Sequence, residues 1–276
     1  MKKVGHGFQL LASGELAYLQ APLLAGSGEA LHGFSTRRGG VSSGPNSTLN
    51  MAYHTGDEAD CVAENRRRFL ERFNLQWRDT VSGIQVHGTD IAVVQSGNRG
   101  EGALPRSAKL RCDALLTVEP NVTLTAYAAD CQLLFFLARD RSLAAIAHAG
   151  RQGALEGMAS KVIAFINEKY GISAGDLLVA MAPAICGRCY RVDEKAAAQF
   201  RAAGWDKGPY LEATGTGDYY LDLGQINKAQ ILGAGVGLEN LAVNRWCTSC
   251  EADLFFSYRR DKGSTGRMIG FITLTA

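Results

Sequence analysis

The sequence lacks any apolar stretch long enough to cross a bilayer. A transmembrane helix needs about 20 consecutive apolar residues, and the most apolar segment, LTAYAADCQLLFFLARD, is interrupted by Asp130. The N-terminal segment also lacks the apolar core and small-residue cleavage site of a secretory signal. We therefore expect a cytoplasmic protein with no membrane partner.

An excess of charge of one sign is also missing. The 29 Lys and Arg residues nearly balance the 27 Asp and Glu residues, which gives a formal net charge of +2. No bulk field therefore attracts nucleic acid, and an anionic ligand has to be bound by a local group of residues. We expect no nucleic-acid partner, and the sequence leaves a monomer and a homodimer open.

Three common catalytic motifs are absent as well. The chain has no G-x-x-x-x-G-K-[ST] phosphate loop and no glycine-rich dinucleotide motif between a strand and a helix. It has no G-x-S-x-G nucleophile elbow either. These absences disfavour a nucleotide kinase, a nicotinamide-dependent dehydrogenase and a serine hydrolase of the α/β type.

What the sequence does contain is an alternation of strand and helix patterns, which predicts an α/β or α+β fold. The predicted strands cover 32–36, 91–95, 122–127, 133–137, 143–148, 177–181, 241–245 and 268–274. The predicted helices cover 61–73, 154–170, 193–203 and 221–232, and Gly171 is expected to end the second of them. The glycine-rich segment 97–111 is expected to be a mobile surface loop rather than a domain linker.

Three residues at the ends of predicted strands form a candidate metal site. His87 precedes a glycine that permits a tight turn, Cys131 lies at a break between two strands, and His148 ends another strand. Two imidazoles and one thiolate suit zinc, and three protein ligands leave a fourth position for water or substrate. The competing interpretation is a small buried cysteine and two structural histidines, because no short metal motif joins the three.

The other cysteines include two C-x-x-C pairs, Cys186 with Cys189 and Cys247 with Cys250. Such pairs can share a structural zinc ion. Their long separation in the sequence favours ordinary packing, and a redox pair is the third interpretation.

A polar segment near the N-terminus is the candidate anion site. Serines, threonines and glycines are dense between residues 33 and 65, so backbone amides and hydroxyls can face a ligand, and Arg37 can bind an oxyanion. A surface turn is the alternative interpretation. Near the C-terminus, the segment 255–261 is either a second cationic wall or an exposed run of charge.

Taken together, these motifs resemble the YfiH family, which is also called the laccase-domain or multicopper polyphenol oxidase family and purine nucleoside phosphorylase. The resemblance runs in order from about Gly33 to the C-terminus. The matching blocks are GFSTRRGGVSSGPNSTLN, His54-Thr55-Gly56-Asp57, Glu64-Asn65-Arg66, Gln85-Val86-His87-Gly88, Cys112-Asp113-Ala114-Leu115, Ala129-Asp130-Cys131, Ala147-His148-Ala149-Gly150, Cys247-Thr248 and Phe256-Ser257-Tyr258-Arg259-Arg260-Asp261.

The resemblance implies a four-layer α/β/β/α fold with two mixed β-sheets, in a single domain over residues 1–276. It also implies zinc bound by His87, Cys131 and His148. The implied activities are phosphorolysis of adenosine, inosine, guanosine and methylthioadenosine, which yields a ribose 1-phosphate, and deamination of adenosine. Nucleoside and phosphate are then the expected small-molecule partners.

One block departs from the family pattern. The family usually has His-Ala-Gly-Trp-Arg-Gly after the last ligand, whereas this chain has Arg151-Gln152 in place of the Trp-Arg pair. The change removes an aromatic wall and moves the arginine by one position, which is about 100° around a helix.

The hypothesis for the mechanism is that zinc acts as a Lewis acid and activates water, with Asp130 as the proton-transfer group. For phosphorolysis, Ser35 and Arg37 are the candidate phosphate ligands, with Asn50 and His54 as helpers on the same segment.

One alternative is a metal-free hydrolase in which Cys131 is the nucleophile and His148 or His87 the base. Peptidoglycan precursor editing and a non-catalytic protein that retains zinc are further alternatives. A copper-dependent polyphenol oxidase is disfavoured because the chain has only five histidines, so that bound copper would be adventitious.

Overall fold

The computed structural model of the protein describes residues 7–26, 30–206 and 208–276. The strands in these residues are β1 (Gln9–Ser13), β2 (Leu16–Gln20), β3 (Ala30–Ser35), β4 (Val81–Ser82), β5 (Ile91–Val93), β6 (Ala114–Thr117), β7 (Leu124–Ala128), β8 (Gln132–Ala138), β9 (Ala144–Ala149), β10 (Leu177–Met181), β11 (Arg191–Val192), β12 (Leu211–Ala213), β13 (Tyr219–Leu221), β14 (Leu241–Val243) and β15 (Met268–Leu274). The α-helices are α1 (Pro22–Ala25), α2 (Ala59–Glu71), α3 (Arg151–Leu155), α4 (Met158–Tyr170), α5 (Glu194–Ala202) and α6 (Leu223–Gly233).

Two mixed six-stranded sheets form the centre of the fold. The first has the order β1-β2-β3-β15-β7-β4 and the second the order β14-β10-β8-β9-β6-β5. The parallel pairs are β4 with β7, β5 with β6 and β10 with β14, and the other neighbours are antiparallel. A three-stranded antiparallel sheet, β11-β13-β12, lies beside them.

The two large sheets pack face to face over one apolar core, to which Phe135 and Ile272 contribute from opposite sheets. Helix α4 covers the outer face of the second sheet through Val162 and Ile166. Helix α2 covers the outer face of the first sheet through Phe69. These layers give the mixed α/β fold with two mixed sheets in a single domain, as the sequence predicted.

The run QLLFFLA of β8 shows why this strand is apolar throughout. Leu133, Phe135 and Leu137 enter the core between the sheets, whereas Leu134 and Phe136 pack under the helices on the other face. A strand that is buried on both faces has no polar alternation.

Two details differ from the sequence prediction or extend it. The helix predicted over 154–170 is interrupted, because Gly157 adopts a φ of +83° and separates α3 from α4. Gly171, with a φ of +69°, ends α4 as predicted. The segment 97–111 consists mainly of turns after a short 3₁₀-helix, Ser96–Asn98, and its mobility remains a prediction. Helices with the length and apolarity of a membrane span do not occur in the described residues.

Candidate metal centre and cavity

Three donor side chains meet at one end of the second sheet. The ligand atoms of His87, Cys131 and His148 lie within 4.8 Å of one another. Strands β8 and β9 are antiparallel neighbours that pair Leu133 with His148, so Cys131, directly before β8, lies beside the end of β9. His87 reaches the same point from the loop after β4, and its ring centroid lies 4.9 Å from that of His148. The structure thus brings together the three residues that the sequence singled out.

Asp113 organises this group from inside the protein. Its Oδ1 atom accepts hydrogen bonds from the His148 ring at Nδ1 (2.9 Å) and from the His87 backbone N–H (3.0 Å). Its Oδ2 atom accepts from the backbone N–H groups of Val86 (3.1 Å) and Gly88 (2.8 Å). The carboxylate therefore holds the loop that carries His87 and directs the other nitrogen of His148 toward Cys131. A carboxylate behind a ligating histidine is common at metal sites because it fixes the ring orientation.

Sequence reasoning gave Asp113 no role, although the residue stands in a matching block of the family resemblance. The available signal was its position directly before the apolar run of β6, since a carboxylate that is buried there, as Asp113 is, requires several donors. Burial raises its pKa, but the hydrogen bond and charge of His148 and the backbone N–H groups outweigh burial and hold the pKa below its ordinary value.

The electrostatics of the group favour a charged sulfur. Burial by itself raises the pKa of the Cys131 thiol, but the neighbouring imidazoles of His148 and His87 outweigh it and lower the pKa. The same contacts act on His148 in the opposite direction: burial lowers its pKa, and the charges and hydrogen bonds of Cys131 and Asp113 raise it above the ordinary value. Thiolate sulfur is the form that binds metals.

The backbone around the donors is adapted to their close approach. A Cβ atom on Gly150 would lie 2.9 Å from Cδ2 of His87 and 3.1 Å from Sγ of Cys131, so a larger residue would displace the donors. His87 and Asp130 both adopt positive φ values, 64° and 91°, which non-glycine residues rarely do. Backbone conformations of this kind cluster at functional sites. The two nitrogens and one sulfur fit zinc with an open fourth position.

The donors form part of the wall of a cavity of about 870 Å³. Five arginines and four tyrosines contribute to its lining: Arg66, Arg106, Arg151, Arg259, Arg267, Tyr53, Tyr127, Tyr190 and Tyr258. A cavity of this size suits a small-molecule ligand, and its arginines suit an anionic group.

The arginines differ in how far the protein already binds them. Arg66 donates to the backbone carbonyls of Met51, Gly102 and Ala103, and Arg267 donates to those of Thr265 and Gly266. These two guanidinium groups are fixed parts of the wall.

Arg151 and Arg259 enter the cavity from other elements. Arg259 lies over the ring of Tyr190 at 4.6 Å and donates one hydrogen bond to the Arg191 carbonyl. The C-terminal segment thus supplies a cationic wall, which was one of its two interpretations. Arg151, the first residue of α3, also lines the cavity, whereas the side chain of Gln152 binds Glu156. At the position where the chain departs from the family pattern, the arginine therefore still faces the cavity.

Asp130, the predicted proton-transfer group, also lines the cavity. Its Oδ1 atom accepts a hydrogen bond from the Thr248 hydroxyl (2.6 Å), and its Oδ2 atom accepts one from the Arg259 backbone N–H (2.7 Å). In this structure the carboxylate thus connects the cysteine loop to the segment that carries Arg259.

The four predicted phosphate-site residues are dispersed. His54 lines the cavity. Ser35 is buried and accepts a hydrogen bond from the Ile269 backbone. Arg37 donates to the carbonyls of Ser47 and Ala252. The Asn50 side chain is buried, and its amide nitrogen donates to oxygen atoms of Ala52, Thr55 and Asp57. The contacts of Ser35, Arg37 and Asn50 are those of residues that hold a loop, and none of the three lines the cavity.

The two C-x-x-C pairs, for which the sequence favoured ordinary packing over a shared metal site, come together. The sulfur atoms of Cys186, Cys189, Cys247 and Cys250 all lie within 4.8 Å of one another. Separation along the chain did not indicate this proximity, because adjacent strands carry both pairs to one place.

Comparisons with known proteins match nearly the whole chain. The model of a family described as multi-copper polyphenol oxidoreductase laccase matches residues 31–275. The purine nucleoside phosphorylase YlmD of Geobacillus stearothermophilus is 40% identical over 254 residues, which cover 91% of this chain and 92% of that protein. The crystal structure of YlmD from that organism superposes with a TM-score of 0.91 at 37% identity, covering 99% of this chain and 100% of the other. A Bacillus licheniformis hypothetical protein, YfiH, gives a TM-score of 0.89 at 32% identity, covering 97% and 99%.

Proposed function

This chain belongs to the YfiH family, the multi-copper polyphenol oxidoreductase laccase family of the matching model, and from that membership we propose that it is a zinc-dependent purine nucleoside phosphorylase with adenosine deaminase activity. The observation that carries the proposal is that a histidine, cysteine and histidine donor set opens into a cavity lined by arginines and tyrosines. Relatives that carry the name purine nucleoside phosphorylase support it.

The substrates proposed are adenosine, inosine, guanosine or methylthioadenosine, each together with phosphate. The tyrosine rings offer flat apolar surfaces on which a purine base can stack. Arg151 and Arg259 offer guanidinium groups, which bind phosphate oxygens in pairs. The base and the anion thus have separate partners in one cavity.

In phosphorolysis, a phosphate oxygen forms a bond with the anomeric carbon of the ribose while the bond from that carbon to the base nitrogen breaks. The electron pair of the broken bond remains on the base, which takes up a proton and leaves. The arginines orient the phosphate and compensate its charge. Asp113 keeps His148 and the His87 loop in place during the reaction.

His87, Cys131 and His148 are the residues that would hold the zinc ion, which supplies Lewis acidity and a coordination position for water. Asp130 is the candidate for moving a proton at its carboxylate oxygens in deamination, where water adds to the purine ring carbon and ammonia leaves. Copper would compete for the same donors. Polyphenol oxidation remains disfavoured, because it needs further histidine ligands and His32 is sealed in the core.

The test incubates zinc-loaded protein with adenosine, inosine and methylthioadenosine, with and without phosphate, and separates the products by chromatography. We expect free base and a ribose 1-phosphate only when phosphate is present, and inosine from adenosine in either case. The variants His87→Ala and Cys131→Ala should lose both activities. Base release that does not depend on phosphate would contradict the phosphorylase assignment.

A second candidate, a metal-free cysteine hydrolase, has one specific observation in its favour. Cys131, His148 and Asp113 form a nucleophile, base and carboxylate series. Chelation distinguishes the two functions: the thiol enzyme keeps full activity without metal and loses it to iodoacetamide. The phosphorylase loses activity on chelation and regains it with added zinc.

A further inference from the structure

Outside the cavity-lining donor set, the described residues contain a second group of metal-binding side chains. Cys186 precedes a short 3₁₀-helix, Gly187–Cys189, which Cys189 ends, and Cys247 and Cys250 lie in the turn after β14. The four sulfur atoms lie within 4.8 Å of one another, and those of Cys189 and Cys250 are 3.4 Å apart.

The backbone brings the two pairs together for a simple reason. Strands β10 and β14 are parallel neighbours, so both end at the same edge of the sheet, and each is followed within a few residues by a C-x-x-C segment. A bridge between Ala184 and Cys247 continues their pairing, and the Thr248 N–H donates to the Ala184 carbonyl (3.1 Å). The position of the sulfur atoms thus depends on the sheet.

The local hydrogen bonding suits a thiolate. The backbone N–H of Cys186 donates to the sulfur of Cys247 (3.3 Å), and the Cys189 N–H closes its turn on the Cys186 carbonyl (3.0 Å). An N–H group that points at sulfur stabilises the charged form. The two segments therefore have the contacts of metal-binding turns.

The distances favour a metal over the two alternatives. A zinc ion with Zn–S bonds of about 2.3 Å places its four sulfur atoms about 3.8 Å apart, whereas a disulfide needs about 2.05 Å. The structure has all four cysteines free. Packing as small hydrophobic residues would bury all four, but Cys250 is exposed and Cys186 and Cys189 are only half-buried.

We propose that Cys186, Cys189, Cys247 and Cys250 bind one zinc ion in a closed, four-thiolate structural site. The thiol protons pass to solvent as the sulfur atoms bind. Four protein ligands leave no open position, so this ion would have no part in the chemistry. Its effect would be to join two loops behind the cavity wall, because Tyr190 follows Cys189 directly and stacks on Arg259.

The test uses the full-length protein and does not depend on any nucleoside. Metal content by mass spectrometry should give two zinc ions per chain for the wild type. It should give one for His87→Ala and one for the double variant Cys189→Ser, Cys250→Ser. The control Cys61→Ser, on α2 and outside both groups, should retain two.

A second measurement covers the case in which the double variant fails to fold. His87→Ala protein loaded with Co²⁺ should show the strong sulfur-to-cobalt charge-transfer bands of a tetrahedral four-thiolate complex. A zinc content that is the same in the wild type and in the double variant Cys189→Ser, Cys250→Ser, or weak bands of a single-thiolate site in His87→Ala, would overturn the proposal, whereas a cavity site without zinc would only lower the wild-type count to one. An intact mass reduced by two hydrogens per pair, which indicates a redox pair, would overturn it too. Activity toward nucleosides has no bearing on these outcomes.

Discussion

Two polar regions of this protein use their side chains in opposite ways. In the segment 33–57, Arg37 and Asn50 direct their donors to backbone carbonyls and neighbouring side chains. At the cavity, one buried carboxylate, Asp113, accepts the internal hydrogen bonds, and His87 and His148 are left to face an open space. A high density of polar residues therefore indicates a loop whose side chains form hydrogen bonds with its own backbone and with neighbouring residues. A metal site is distinguished by ligand side chains that a buried partner orients toward a cavity.

The largest effect in this contrast is expected from Cys131→Ala. Loss of the sulfur should remove the metal of the cavity site and lower kcat/KM by roughly 10³-fold or more, since a bound metal stabilises the reaction by several kcal/mol. Steady-state kinetics and metal analysis of the same preparations measure this. The matched control Cys61→Ala should change neither value, and full activity in Cys131→Ala would remove the cysteine from the site.

The next effect is expected from Asp113→Asn. The amide has nearly the same shape but carries no charge, and its N–H₂ group would face backbone donors, so His148 and the His87 loop would lose their orientation. We expect a loss of about 10- to 100-fold in metal affinity or activity. Competition with a chromophoric chelator measures the affinity. Asp140→Asn, at an exposed turn whose carboxylate accepts from Ser142, is the control and should bind metal like the wild type.

A third experiment compares one arginine from each region. Arg151→Gln should raise KM for phosphate by about tenfold or more, the effect of losing a hydrogen bond to a charged group, with little change in KM for the nucleoside. Arg37→Gln should leave both KM values unchanged and lower Tm by a few degrees, because its hydrogen bonds hold the loop to Ser47 and Ala252. The reverse pattern would move the phosphate site to the N-terminal segment.

The smallest effect is expected in the pH dependence of folding stability, and it comes from His32 of strand β3. Burial lowers the pKa of His32 to about 4, and its ring accepts a hydrogen bond from the Ala21 N–H (2.8 Å). Because the unfolded chain binds a proton near pH 6.5 and the folded chain does not, stability should fall as the pH drops below 6.5. The loss between pH 7 and 5.5 is about 1 kcal/mol.

Urea unfolding at the two pH values measures this loss. His32→Gln retains an acceptor without the titration, so its stability should depend less on pH than that of the wild type. An equal pH dependence in His32→Gln and the wild type would contradict the assignment.

The sequence predicted most of the core because burial leaves a direct trace in it. The apolar run of β8 and the stripe of α4 were both identified, and Gly171 marked the end of that helix. The hairpin of β1 and β2 was missed because its exposed, irregular alternation gives little signal. The break at Gly157 was missed because a single glycine is also tolerated within a helix.

The candidate site was predictable only in part. His87, Cys131 and His148 were found because glycines, strand ends and a family pattern surround them in the sequence. The segment that contains Arg259 had two open interpretations, a cationic wall or an exposed run of charge. Asp113 was not identified, because its hydrogen bonds connect residues that are distant along the chain. The chain departs from the family pattern at Arg151, and only its placement at the first residue of α3 showed that it faces the cavity.

What the sequence determined by itself was the set of chemical groups: two imidazoles, a thiolate and two C-x-x-C pairs, on strands whose apolar patterns specify a two-sheet core. What only the tertiary structure decided was which of these groups share a point in space. Strand pairing joins β8 to β9 and β10 to β14, and these pairings bring each donor set together. The physical reason is that hydrogen bonds between strands connect residues that lie far apart along the chain, and local patterns carry no record of that partner choice.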